Sequence, residues 1–195
     1  YTLTTGFDVS TASFVDSLDI SSQENHSADL AFNNDGTKMF VVGRAGDDVN
    51  LYTLTTGFDV STASFVDSFD VSNEETAPAG LAFNNDGTKM FVLGRSGRDV
   101  TEYTLTTGFD VSSASVVDSF SVLSEEGDPA GLAFNNDGTK MFVAGINEDK
   151  VHEYILTTGF DVSTASFVVS LDISSQENQS ADLAFNTDGT KMFLV

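Results

Sequence analysis

Apolar residues along this chain fall in short runs separated by turn-forming clusters, with no stripe at helical spacing. Leu81-Ala82-Phe83 is apolar, Asn84-Asn85-Asp86-Gly87 is polar, and Lys89-Met90-Phe91-Val92-Leu93 returns to apolar before Gly94. Short Asn and Asp side chains bond to nearby backbone and Gly accepts positive φ, so the polar tetrad reads as a turn between two strands. A third strand is expected over about 100–106 and a fourth over about 64–71 of its own copy. The fourth alternates, which places Phe65, Asp67, Phe69 and Val71 on one face and Val66, Ser68 and Asp70 on the other. β-Branched and aromatic residues dominate these runs, as strands favour.

The same pattern recurs. YTLTTGFDVS starts at Tyr1, Tyr52 and Tyr103 and returns as YILTTGFDVS at Tyr154, a gapless period of 51 residues. AFNNDGTKMF starts at Ala31, Ala82 and Ala133, with AFNTDGTKMF at Ala184. Units 1–51, 52–102, 103–153 and 154–195 therefore account for the whole chain as one repeat domain. The first and fourth copies agree at 37 of their 42 shared positions, as a duplicated block within a longer array would.

Met90 and Val92 point one way along their strand, and Phe91 and Leu93 the other, so this sheet is apolar on both faces. Such a sheet needs cover on both sides, and no helix is predicted to provide it. Stacking the sheets on one another around an axis is the propeller solution, with a linear solenoid as the alternative. The expected fold is all-β: a β-propeller of 51-residue, four-stranded antiparallel blades, four blade equivalents in all. Blades are expected at about 28–72, 79–123 and 130–174, with Leu30, Leu81, Leu132 and Leu183 in equivalent inner strands. Segments 1–21 and 181–195 would be split or cut blades, joined into a composite fourth blade or left as edges of a larger propeller.

The hairpin residues Phe32 to Gly36 with Lys38 to Val41, and their counterparts at 83–92, 134–143 and 185–194, resemble the bacterial β-propeller repeats related to YVTN, NHL and WD40-like units. That resemblance implies a propeller blade, with Asn34, Asn85, Asn136 and Thr187 standing where the family often carries Pro. The G-H and W-D marks of true WD40 repeats are missing.

Composition narrows the function. Eight Lys or Arg face 30 Asp or Glu, a formal charge of −22, which argues against a phosphate-neutralising nucleic-acid binder and against attraction to anionic lipid. No apolar run is long enough for a membrane helix, so no membrane insertion is expected. Without cysteine there is neither a disulfide framework nor a thiolate site. Acidity, lack of cysteine and modular repetition suggest an extracellular or cell-surface setting within a longer polypeptide.

In a meander, alternate loops share a face. The NNDG turns and the TTGFDVSTAS connections, nearly invariant among copies, belong to one face; the loops that vary belong to the other. An asymmetric partner is read by residues that differ, so the variable face supplies the binding candidates: Glu24, His26, Arg44, Glu74, Glu75, Arg95, Arg98, Glu148, Lys150 and His152. Adjacent carboxylates there, Asp47 with Asp48 and Glu125 with Glu126 and Asp128, are weak candidates for Ca²⁺, the one cofactor considered. Asp35, Asp86, Asp137 and Asp188 are expected to serve their turns, and Asp8, Asp59, Asp110 and Asp161 to bond back to their own loops. Asp16, Asp67 and Asp118 are expected at solvated positions on outer strands. No nucleophile elbow, phosphate loop or zinc ligand set occurs, so no catalytic residue is assigned. The sequence supports a non-catalytic interaction module for a protein or glycan partner. A structural or adhesin-type spacer array is one alternative, and a hydrolase or lyase on the same scaffold is another.

Overall fold

The computed structural model describes residues 1–6, 8–177 and 179–195. Each NNDG tetrad does turn the chain: Gly87 takes φ 70° while Asp86 accepts a bond from the Thr88 N–H at 3.0 Å. The strands on either side, β7 (Pro78–Phe83) and β8 (Lys89–Gly94), pair antiparallel and continue into β9 (Asp99–Leu105) and β10 (Ala114–Ser121). The preceding sheet is β3 (Ser27–Phe32), β4 (Lys38–Gly43), β5 (Asp48–Leu54) and β6 (Ala63–Asp70). The following one is β11 (Pro129–Phe134), β12 (Lys140–Gly145), β13 (Lys150–Leu156) and β14 (Ala165–Asp172). Leu30, Leu81, Leu132 and Leu183 occupy equivalent strands, as expected, the last in β15 (Leu183–Phe185). The architecture is all-β, with several four-stranded antiparallel sheets resembling propeller blades.

The ends differ from a composite blade. β1 (Thr2–Leu3) pairs only with β2 (Ala12–Ser13), and β15 only with β16 (Met192–Leu194), so the terminal hairpins are two separate two-stranded sheets. The chain after β2 places Leu18 and Ile20 against Tyr52 and Met39 of the first full sheet.

The fourth strand departs from strict alternation. Tyr52 pairs with Phe65 and Leu51 with Asp67, which leaves Val66 as a bulge. The extra residue reverses the face, because neighbours on β5 point to opposite sides. Phe65 therefore packs on Tyr52 of its own sheet, whereas Phe69 meets Tyr103 of the next. Asp67 sits just past the bulge, exposed, as expected for an outer strand.

Successive sheets stack through aromatic side chains. Phe40 meets Phe83 at 4.4 Å between ring centres, and Phe109 from the next long loop packs on both. Phe91, Phe134 and Phe160 repeat the arrangement. Each fully buried Phe contributes about 2–3 kcal/mol by transfer out of water, so these junctions hold the sheets together. Polar contacts fix their register. Asn34 donates to the Asn85 carbonyl, Asn85 to Asn136 and Asn136 to Thr187, each at 2.8 Å. Lys38 reaches across to the Phe109 carbonyl at 2.7 Å and Lys89 to that of Phe160 at 2.6 Å. Asn34, Asn85 and Asn136 thus form a ladder between sheets that ends on the Thr187 carbonyl.

The long TTGFDVSTAS loops each contain a three-residue 3₁₀ turn, such as Val60–Thr62, in which Asp59 accepts from the Ser61 N–H at 3.1 Å. They share a face with the NNDG turns, since the Phe58 N–H bonds the Gly36 carbonyl at 2.9 Å. Among the described residues no helix is long and apolar enough to cross a membrane.

Candidate functional site

The variable-face loops are organised around one glutamate per sheet. Glu75 accepts bonds from the backbone N–H groups of Ala77, Ser96 (3.2 Å) and Gly97 (2.7 Å), tying the loop before β7 to the β8–β9 turn. Glu24 holds the N–H groups of His26, Ala45 and Gly46, and Glu126 those of Asp128, Asn147 and Glu148. All three are buried. Gly94 is required beneath this clamp, since a Cβ there would lie 1.7 Å from Glu75 Oε2. Glu24 and Glu75, expected on an exposed binding face, are instead internal braces. A carboxylate can accept several backbone donors, which is what a turn of unpaired N–H groups needs.

His152 is corrected in the same way. It is buried in β13, with Nδ1 2.9 Å from Ser170 Oγ and Nε2 3.7 Å from Glu126. Burial pushes the Glu126 carboxyl up, but His152 and the three backbone N–H groups outweigh it and leave it below the ordinary value.

The remaining candidates stay at the surface but are dispersed. Glu148 pairs with Lys150 at 3.1 Å, Arg98 Nε donates to the Gly127 carbonyl at 2.9 Å, and Glu74 is exposed. Among the candidate calcium ligands, Asp48 accepts from Asn50, Glu125 from Ser124 and Tyr154, and Asp128 binds Arg95. Asp47 takes a left-handed φ of 50° at its turn. Burial, then Glu75, Asp70 and Glu24, raises its pKa. Among the described residues no group of three or more His, Cys, Asp or Glu is placed to hold a metal ion.

Two of the arginines do converge. Arg44 and Arg95 occupy the same position after β4 and β8, and with His26, Ala79, Ala130, Ile146 and Ala181 they border a cavity of about 270 Å³. Ala28, Ala79, Ala130 and Ala181 are counterparts at or just before the first strand of their units, so this cavity lies where those strands begin, on the variable-loop side. Asp128 grips the Arg95 guanidinium with both oxygens. Arg44 has no hydrogen bond or ion pair from its side chain among the described residues. Burial, and then the neighbouring Arg95, presses its pKa below the ordinary value. Arg44 and the Asp128-paired Arg95 thus stand together at one cavity of a chain with charge −22.

A second cavity of about 420 Å³ shares Ser27 and Ala28 with the first and is bordered by Asp29 and Asp182. Asp29 accepts the Leu81 N–H at 2.8 Å, linking β3 to β7. Its carboxyl is raised to about 6 by burial and then by the charge of Asp182, which is itself raised by burial. Sequence reasoning did not single out Asp29. The signal was present: the counterparts at 29, 80, 131 and 182 read Asp, Gly, Gly, Asp.

A larger cavity, about 680 Å³, lies on the opposite side against Phe142 and Phe185. Asp137, Lys140 and Asp188 also border it, and it matches the place that a third ring fills at the Phe40–Phe83 and Phe91–Phe134 junctions.

No protein-family model matches the chain, and no curated protein matches it. Solved structures do. The periplasmic gluconolactonase of Pseudomonas aeruginosa is 16% identical, with a TM-score of 0.58 over 87% of this chain and 42% of its own. The hydrazine synthase of Kuenenia stuttgartiensis is 14% identical, with a TM-score of 0.60 over 93% and 45%. The Cps50 β-propeller domain of Myceliophteria thermophila is 10% identical, with a TM-score of 0.56 over 86% and 49%. The chain spans about half the length of the solved structures it matches. Their functions differ and their identities are low, so what they share with this chain is a fold of propeller-like, four-stranded sheets.

Proposed function

We propose that the chain is an interaction module whose ligand site is the cavity at Arg44 and Arg95, and that the ligand is an acidic glycan or sugar acid. The observation that carries this reading is the unpaired Arg44 guanidinium beside Arg95, on a protein otherwise strongly acidic. Arg95 is positioned by Asp128, which leaves Arg44 to face an incoming carboxylate; guanidinium groups bind such planar anions in a fork. His26 borders the same cavity and offers a ring N–H as a further donor. An extracytoplasmic setting belongs to this proposal, and the Pseudomonas aeruginosa protein is named as periplasmic.

The test is calorimetric titration with D-gluconate and with oligogalacturonate at low salt. Heat of binding that disappears in Arg44→Ala but persists in Arg98→Ala supports the site. Equal binding by wild type and Arg44→Ala, or none by either, rejects it.

A second reading has its own observation. Asp29 and Asp182 border one cavity with raised pKa values, an arrangement in which one carboxyl retains a proton while the other accepts one. In lactone hydrolysis the carboxylate would take a proton from the attacking water, and the carboxylic acid would give one to the departing ring oxygen. Turnover of glucono-δ-lactone, abolished in Asp29→Asn and retained in Asp35→Asn, would favour that reading over binding alone.

A further inference from the structure

Three side chains meet where the third four-stranded sheet packs on the second. His152 of β13 lies opposite Ser170 of β14 in the strand register, with Nδ1 2.9 Å from Ser170 Oγ. Its Nε2 is turned toward Glu126, 3.7 Å from Oε2, and makes no hydrogen bond among the described residues. His152 is 1% exposed and Glu126 0%, while Ser170 is half-buried. The three border a cavity of about 460 Å³ that has no residue in common with the cavities at Arg44 and at Asp29. Both sheets at this junction have all four strands, and Tyr154, on the same face of β13 as His152, packs on Phe120 of the second sheet.

The other copies show that the fold does not require this histidine. Glu24, Glu75 and Glu126 are the same residue in each four-stranded sheet, and so are Ser68, Ser119 and Ser170. The counterparts of His152 are Asn50 and Thr101, each buried and each paired with its own sheet's serine. A sheet therefore closes equally over Asn or Thr here. Only the third places a base between the serine and the glutamate.

We propose that Ser170, His152 and Glu126 form a nucleophilic site that hydrolyses short-chain esters of uncharged alcohols through an acyl-serine. The roles follow from which ring nitrogen carries the proton. Negative charge on Glu126 favours the tautomer with the proton on Nε2, which leaves Nδ1 as a base facing the Ser170 hydroxyl. As Oγ attacks the carbonyl carbon of the ester, its proton passes to Nδ1 and the carbonyl π pair moves onto oxygen. Lys150, held by Glu148 at 3.1 Å and two residues before His152 on the same strand face, borders the cavity and supplies positive charge for that oxyanion. Collapse breaks the bond to the alcohol oxygen, which takes the proton from Nδ1, and leaves the acyl group on Ser170. Water then attacks the acyl carbon with the same proton transfers, releasing the acid and restoring the serine. Leu123 and Phe167 form an apolar border, and Glu125 and Glu148 oppose an anionic ester.

Diisopropyl fluorophosphate traps serines activated in this way. Peptide mass spectrometry should place its label on Ser170 and not on Ser119, which is more exposed but faces Thr101. His152→Thr installs the residue that the second sheet buries at this position, so the variant should melt as wild type does. It should slow both labelling and the hydrolysis of 4-nitrophenyl acetate by about 100-fold or more. Ser170→Ala should reduce both to the buffer background, and Ser119→Ala should change neither. The chain has only two histidines, so ring ¹⁵N shifts report the tautomer directly. His152 should carry its proton on Nε2, and Glu126→Gln, which keeps an oxygen for the Asp128 N–H, should move it toward Nδ1. Label absent from Ser170 or equal on Ser119, hydrolysis undiminished in folded His152→Thr, a wild-type proton on Nδ1, or a tautomer unchanged in Glu126→Gln would each overturn the proposal.

Discussion

Replacing Asp29 with Asn isolates one charge. The carboxyl is raised from 3.8 to about 6 because burial disfavours the ionised form and Asp182 adds like charge. A raised carboxyl pKa means that the folded state holds its proton more tightly than the unfolded one. The stability this supplies is full below about pH 4 and is lost as pH rises through about 6. At about 1.4 kcal/mol per pH unit, the interval from 3.8 to about 6 gives a ceiling of about 3 kcal/mol. Asp29 keeps partial contact with solvent, so about 1–2 kcal/mol is the working expectation. Asn retains a carbonyl oxygen for the Leu81 N–H, so the substitution removes charge while preserving the bond to β7. Asp29→Asn should therefore match wild type near pH 4 and exceed it in stability at neutral pH. Urea unfolding at fixed ionic strength, from about pH 4 to about pH 7.5, reads the difference directly. Asp35→Asn provides the opposite sign. The Thr37 hydroxyl and N–H hold the Asp35 carboxyl below its ordinary value, so its stability is present at neutral pH and lost in acid. A variant at Asp29 less stable than wild type at neutral pH, or a difference that does not change with pH, would refute the reasoning.

The Glu75 clamp predicts that Gly94→Ala destabilises by about 3 kcal/mol or more, since the added Cβ displaces the carboxylate and strands three backbone donors. Gly6→Ala, with nothing within 4 Å of the new atom, should leave the thermal midpoint unchanged, and equal losses in both variants would argue against the clamp. Calcium and magnesium chloride at matched ionic strength should give equal midpoints, because Asp48, Glu125, Glu126 and Asp128 are engaged within the chain. A calcium-specific rise, lost in Asp47→Asn with Asp48→Asn, would show that those loops rearrange around an ion.

Much of this fold was legible because one unit is written four times. The turn at Asn84 to Gly87, the four strands of each sheet and the inner position of Leu81 followed from local chemistry repeated without gaps. The bulge at Val66 did not, because an extra residue in a strand is invisible to a period-two pattern until the partner's register is known. The Asn34–Asn85–Asn136 ladder was hidden because a turn already explains Asn there, and a second role between sheets leaves no further mark. The glutamate braces were misplaced against an available signal. Glu24, Glu75, Glu126 and Glu177 are the same residue in every copy, which speaks for service to the sheet rather than to a ligand. His152 was judged by its neighbouring loop, although its counterparts Asn50 and Thr101 lie in the strand and are buried too.

The logic of copies also sharpens where chemistry is to be sought. Polar residues common to all units proved to have internal tasks: Asp59 bonds its 3₁₀ turn, Asp86 its hairpin and Glu75 its loop. A ligand without the repeat's symmetry gains nothing from contacts that every sheet offers equally; discrimination needs positions where sheets differ and that converge in space. Two sets meet both conditions. Arg44 and Arg95 give way to Ile146 at the third sheet, so the two guanidinium groups stand on one part of the cavity rim. Asp29 and Asp182 replace the glycines at 80 and 131, where added side chains would crowd Leu132 and Asp182. At Gly80 and Gly131 the neighbouring Leu132 and Asp182 leave little room for a side chain, whereas Asp29 and Asp182 border a cavity. The cavity at Arg44 and Arg95 and the cavity at Asp29 and Asp182 are thus the places where the repeat departs from its own symmetry, and where a ligand without that symmetry is to be sought.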